Sequence, residues 1–113
     1  MRVTSGFWVG SYLRRAMTEG CFTSVVKRGA EEAGAIFIIL NHGNGEFSLF
    51  GQAPQSMFDE TMISERLFTV LIENLDEQVV LERLEREKNF DPDLWIIENE
   101  DRSGRSFLEL AKD

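Results

Sequence analysis

Apolar positions recur along this chain with two periods, and the switches between them mark out its elements. Between Thr4 and Gly20, the residues Val9, Leu13, Ala16 and Met17 recur at helical spacing, flanked by Trp8 and Tyr12, with Arg14 and Arg15 on the other side. The spacing predicts an amphipathic helix of about fifteen residues. Thr4 and Ser5 offer an N-cap, and Gly20 offers a residue that takes φ > 0 at little cost past the helix end. Residues 22–28 carry the β-branched Thr23, Val25 and Val26 and read as a strand, stopped by Gly29. Residues 30–34 form a polar turn. Residues 35–40 are apolar at every position. This predicts a central strand, covered on both sides or packed at a further interface. Residues 41–45, Asn-His-Gly-Asn-Gly, are strong turn formers. Residues 46–50 return as a partner strand with Phe47 and Leu49 on one face, so 35–50 is a β-hairpin.

Residues 51–64, which include Pro54, read as a loop. Residues 67–72 fit either period, and Phe68, Thr69, Val70 and Ile72 tilt them to strand. Asp76 caps a second helix running to about Lys88, with Val80, Leu81 and Leu84 as its apolar stripe and Glu82 and Arg86 placed for an i,i+4 pair. Asp91-Pro92-Asp93 ends it, because proline disfavours α backbone in the residue before it. Residues 94–97 read as a last strand, 101–104 as a turn, and 106–112 as a short helix. The order α-β-β-β-β-α-β predicts an α+β fold. Its sheet is mostly antiparallel with about five strands, and two main helices pack on one face. No repeat, low-complexity segment or linker divides the chain, so 1–113 reads as a single domain of ordinary size.

Composition supports a folded core. Apolar residues make up 42% of the chain, with nine Phe and two Trp, whereas disorder needs low hydrophobicity with high charge. Cys21 is the one cysteine, which excludes an intrachain disulfide and any cysteine-based metal site. It reads as a small buried apolar residue in a reducing compartment. The first residues lack signal-peptide organisation, and the apolar run at 35–40 is far shorter than the ~20 residues of a membrane span. A cytoplasmic protein without membrane contact is expected. The net charge of −8 repels nucleic acid and anionic lipid. Residues 1–60 carry five basic and six acidic side chains against seven and fourteen in 61–113, so the acidity belongs to the second half.

Three groups of residues offer chemistry. Asp91, Asp93, Glu98, Glu100 and Asp101 lie around Trp95. Several oxygens suit a hard divalent cation and two carboxyls suit acid–base work, but no metal-loop or catalytic spacing is met. They read as residues at a helix stop and a strand exit. Arg2, Arg14, Arg15, Lys27 and Arg28 are the basic side chains before residue 61. They offer a local positive patch, yet neither phosphate-loop nor dinucleotide pattern accompanies them, so no cofactor is implied. His42 stands in a turn without a carboxylate near it in sequence, a poor base or ligand. The aromatic residues are numerous enough that one sheet face will not hide them all. The surplus points to a partner surface, the simplest partner being a second copy of the chain.

Four strings carry a resemblance: Arg-Val-Thr-Ser-Gly-Phe-Trp-Val at 2–9, Tyr-Leu-Arg-Arg-Ala at 12–16, Phe-Asp-Pro-Asp-Leu-Trp-Ile-Ile-Glu at 90–98 and Glu-Asp-Arg-Ser-Gly-Arg at 100–105. The chain resembles the bacterial domain-of-unknown-function family numbered 1491 over almost its whole length. The resemblance implies a bacterial cytoplasmic single-domain protein and brings no functional residues with it. The leading expectation is a non-enzymatic interaction or regulatory domain that self-associates or binds another protein. Its candidate surface comprises Trp8, Tyr12, Arg14, Arg15, Asp91, Asp93 and Trp95, with no catalytic, cofactor or metal residues. The alternative is an enzyme or small-ligand binder that joins Arg14 or Arg15 to the carboxylates of 91–101 in one pocket. Nucleic-acid binding through the basic patch is disfavoured by the charge.

Overall fold

The computed structural model describes residues 3–54 and 66–111. Eight elements follow one another: α1 (Ser5–Thr18), β1 (Phe22–Lys27), β2 (Ile36–Asn41), β3 (Phe47–Gln52), β4 (Leu67–Leu75), α2 (Glu77–Phe90), β5 (Trp95–Glu100) and β6 (Glu109–Leu110). The strands form one six-stranded sheet in the order β1-β5-β2-β3-β4-β6.

α1 begins and ends by local rules. The Thr4 hydroxyl accepts from the Phe7 amide at 3.2 Å. At the other end Gly20, with φ of +88°, donates to the Met17 carbonyl while Cys21 donates to Ala16. This pair of bonds satisfies two carbonyls of the last turn and reverses the chain into β1. The buried side is Ser5, Val9, Tyr12 and Ala16, so Met17 is turned to water and Tyr12 is taken into the core. The hairpin closes as expected: β2 pairs antiparallel with β3, and Gly43 and Gly45 take positive φ in the turn.

Two features differ from the sequence-based expectation. The sheet is mixed, with six strands, because β2 pairs parallel with β5 and β4 parallel with β6. β4, α2 and β5 make a crossover unit, the connection that parallel strands require. The helices also lie on opposite faces of the sheet, not on one. Val9 and Tyr12 of α1 pack on Ile36, Ile38 and Leu40 of β2 with Phe50, Phe68, Trp95 and Ile97. Val80 and Leu84 of α2 pack on Phe37 and Ile39 of β2 with Phe47, Leu49, Ile72, Leu94 and Ile96. Successive strand side chains point to opposite faces, so an all-apolar β2 needs cover on both. Helices on one face only would leave half of β2 in water.

Smaller corrections concern boundaries. The 106–112 stretch is not a helix within its described part, but irregular chain ending in β6, whose two residues pair with Leu67 and Phe68. Gly51 and Gln52 belong to β3, so the 51–64 loop starts later than expected, and residues 55–64 lie outside the described ones. α2 runs to Phe90. Glu82 accepts from Gln78 instead of pairing with Arg86, and the ion pairs on this helix are Arg83–Glu87 and Lys88–Glu85. At Gly29 an added Cβ would lie 2.3 Å from the Asp93 carbonyl oxygen and 2.6 Å from the Trp95 ring, so the close approach of the β1 exit to the β5 entry requires glycine.

Candidate functional site

The outer flank of α1 meets the chain's last segment, and aromatic rings gather where they meet. Trp8 stacks on Tyr12, with ring centres 5.2 Å apart and planes 13° from parallel, and touches Phe68 at 5.2 Å. Trp8 and Tyr12 are four apart, the spacing that stacks neighbours on a helix. The Tyr12 hydroxyl donates to the Ser106 carbonyl at 2.7 Å. Burial raises its pKa, with the nearby Cys21 adding to the effect. Phe107 holds φ of +59°, and two guanidinium groups approach its ring, Arg15 at 5.5 Å and Arg105 at 5.2 Å from its centre. Trp8, Ser11, Tyr12, Arg15 and Phe107 wall a hollow of about 160 Å³. That volume suits one side chain or a very small acid, and falls below the ~300 Å³ at which ordinary ligand pockets begin. Arg14 faces outward and donates to Ser11 Oγ at 3.3 Å.

A larger hollow of about 500 Å³ lies at the opposite end of α1, lined by residues that include Thr4, Glu32, Gln52, Arg66 and Asp91. The α1 amides there are already occupied: Ser5 donates to the Glu32 carbonyl, Gly6 to that of Glu31, and Phe7 to Thr4. The helix end therefore has no free first-turn amide among these three for an anion. Gln52 accepts from the Ile36 amide, and Arg66 donates to the Val3 carbonyl.

The carboxylates of 91–101 are close in sequence and apart in space. Asp91 and Asp93 precede β5, while Glu98 and Glu100 lie in its second half and Asp101 just beyond it. A strand rises ~3.3 Å per residue, so the two groups stand at opposite ends of the sheet. Asp91 Oδ1 accepts from the Asp93 amide at 3.0 Å, a local turn. Glu98 accepts from Asn41 at 3.3 Å. Asp101 is buried and held by Arg105 through both oxygens, at 2.8 and 3.2 Å, as well as by the Arg105 amide at 2.9 Å. The Arg105 guanidinium keeps the Asp101 carboxyl at a pKa of about 2, below its usual range. Arg105 also reaches the Glu19 carbonyl and the Cys21 sulfur, tying the end of β5 to the end of α1. Burial, and then the Asp101 charge, push the Cys21 thiol up. An activated nucleophile needs the opposite shift.

The candidate residues divide accordingly. Trp95 is 1% exposed and Tyr12 is 4% exposed, so both belong to the core and support a surface without forming one. The Trp95 indole donates to the Ala30 carbonyl at 2.8 Å, and Arg28 lies 5.2 Å over its ring. Trp8 and Arg15 share the small hollow, Asp91 lines the large one, and the two hollows have no lining residue in common. His42 meets Ser48 at 3.1 Å, but Ser48 is buried and also accepts from the Asn74 amide, so the trio fastens the hairpin tip to β4. Sequence reasoning missed Arg105, Phe107 and Ser48. Arg105 follows Asp101 by four residues outside any helix, where the i,i+4 rule gives no signal. Among the described residues no group of three or more His, Cys, Asp or Glu side chains is placed to hold a metal ion. No described helix is long and apolar enough to cross a membrane.

Comparison with known proteins fits this arrangement. A family model described as "Protein of unknown function (DUF1491)" matches residues 3–109. The chain belongs to the DUF1491 family. The solution structure of protein Atu0922 from A. tumefaciens is 37% identical, covers 100% of this chain and 98% of its own, and superposes with a TM-score of 0.85. A crystal structure of a DUF1491 protein from Caulobacter crescentus CB15 is 30% identical with a TM-score of 0.80, each chain covered in full. An NMR structure of a DUF1491 protein from the same organism gives the same identity and TM-score. No curated protein matches this DUF1491 chain.

Proposed function

We propose that this DUF1491 chain is a non-enzymatic interaction domain of the cytoplasm that associates with itself. The observation that carries the reading is the placement of three phenylalanines that neither helix layer covers: Phe90 is 89% exposed, Phe22 83% and Phe7 60%. Fully burying such a ring is worth roughly 1.5–3 kcal/mol, a gain the isolated chain forgoes at each position. The buried Asp101 and Cys21 are both engaged by Arg105. Sedimentation velocity across a wide concentration range tests the reading. Reversible self-association is expected, and a monomer at every concentration would overturn it. Regulation by another protein partner fits the same surfaces, whereas nucleic acid and anionic membranes are repelled by the net charge of −8.

The hollow at Trp8 favours a second reading, a binder of a small anion. Arg15 supplies charge, and Trp8 and Phe107 supply apolar walls. The carboxylates of 91–101 take no part in it, so the reading narrows to Arg15. Titration of a Trp95→Phe variant with small carboxylic acids, followed by the fluorescence of the remaining Trp8, tests this; an unchanged signal up to millimolar acid would end it.

A further inference from the structure

β1 forms one edge of the sheet, pairs only with β5 among the described residues, and is six residues long; the opposite edge, β6, has two. An edge strand presents unpaired N–H and C=O groups, and proteins usually guard such an edge with a charge, a proline or a bulge; β1 has one bulge, between Val25 and Lys27. Here the one charged side chain of β1, Lys27, is drawn inward. Its ammonium donates to the carbonyls of Pro92, Leu94 and Arg28 at 2.7, 3.1 and 3.2 Å. Phe22, Ser24 and Val26 are exposed along one face of the strand, at 83% for Phe22 and 55% for Val26. Phe22 and Ser24 stand opposite Glu100 and Glu98. α2 lies mainly over β3 and β4, on the far side of the same face, and leaves this side open.

We propose that β1 is the self-association surface, pairing antiparallel with β1 of a second copy about a two-fold axis at Ser24. The order Phe-x-Ser-x-Val is complementary to itself in that register. Phe22 of each copy faces Val26 of the other, an aromatic and β-branched cross-strand pair made twice, with Ser24 facing Ser24 between them. An isologous contact of this kind closes on itself, giving a dimer and not a fibre. The inference rests on the self-association proposed above and names its interface.

A ribbon of six residues a side is smaller than the ~1,600 Å² standard interface, so the dimer is weak and its test needs high concentration. Sedimentation of the wild-type chain and of a Phe22→Lys/Val26→Lys variant, both checked for unchanged circular dichroism, provides that test. Association weakened at least about tenfold in the variant is expected. Association of equal strength in the variant overturns the β1 interface and leaves self-association standing. A wild-type monomer at every concentration overturns both. Ser24→Cys adds an independent readout: mild oxidation is expected to link two chains through residue 24, whereas a Gln78→Cys control on α2 stays unlinked. Equal linkage of both variants counts against the register.

Discussion

α1 and α2 are each fourteen residues long, yet they are held to the sheet by different forces. α1 is fixed by bonds with direction. Ser5 donates its hydroxyl to the Gly34 carbonyl at 2.6 Å inside the core, Tyr12 reaches Ser106, and the first amides are taken by the 31–32 carbonyls. α2 is fixed by apolar contact. Asp76 makes no side-chain capping bond, and among the described residues the side-chain hydrogen bonds of α2 close within the helix. Hydrogen bonds fix a position, whereas hydrophobic contact rewards area from any direction. The α1 face therefore holds its surface, including the Trp8 hollow, in one arrangement. The α2 face is therefore expected to open first.

The largest test strikes the α1 face. Trp95→Ala removes a ring that spans β5, Ala30 and Arg28. A loss of about 3–5 kcal/mol is expected, near the whole stability of many domains of this size. Chemical denaturation reads it. A variant that loses less than about 1 kcal/mol would show that the face repacks and is not fixed as argued.

Leu84→Ala strikes the other face at the same depth, since Leu84 is 3% exposed between α2 and β3. A smaller loss of about 2–4 kcal/mol is expected. The sharper readout is hydrogen exchange. Amides of α2 should lose protection while those of β2 and β5 keep theirs, because local opening costs less than global unfolding. Equal loss in both regions would make the two faces one cooperative unit and break the comparison.

The same contrast explains what the sequence revealed. α1, the hairpin and the α2 stripe were legible because caps, glycines and periodicity are local signals. The all-apolar 35–40 segment also announced that both faces of β2 need cover. Placing both helices on one face ignored that signal. It took the hairpin as a guide to the whole sheet, although the β4-α2-β5 order allowed a parallel crossover. The site was less legible than the fold. Asp91 and Asp101 look like neighbours in the sequence, and a six-residue strand separates them. Arg105 and Phe107 act through contacts with Glu19, Cys21 and Arg15, residues more than 80 positions away, and no local pattern encodes those.

Asp101→Asn loosens the polar seam that ties the end of β5 to the end of α1. Removing the charged partner of Arg105 should cost about 1–3 kcal/mol near neutral pH. The pH dependence carries the sign. The Asp101 pKa falls from the ordinary ~3.9 when unfolded to about 2 when folded, so its contribution is complete above pH ~4 and is lost as pH falls towards 2. The gap between wild type and variant should therefore narrow across that window in thermal melts. A gap that stays constant with pH would mean that Asp101 stabilises the seam by shape and not by charge.

Tyr12→Phe is the mildest change and tests the seam's other half. It keeps the stacked ring beside Trp8 and removes one bond to Ser106, with an expected cost of about 1 kcal/mol. The chain has one tyrosine, so phenolate absorbance reports this residue alone. Burial raises its pKa above the unfolded value of about 10. Its neutral form thus favours the fold below that pH, and the contribution is lost as pH climbs through the folded pKa. Ionisation in the wild type should appear only together with unfolding. A phenolate that forms near pH 10 with circular dichroism unchanged would mean that Ser106 and Phe107 leave α1 easily. The wall of the Trp8 hollow would then be no more fixed than α2, and the difference between the two faces would disappear.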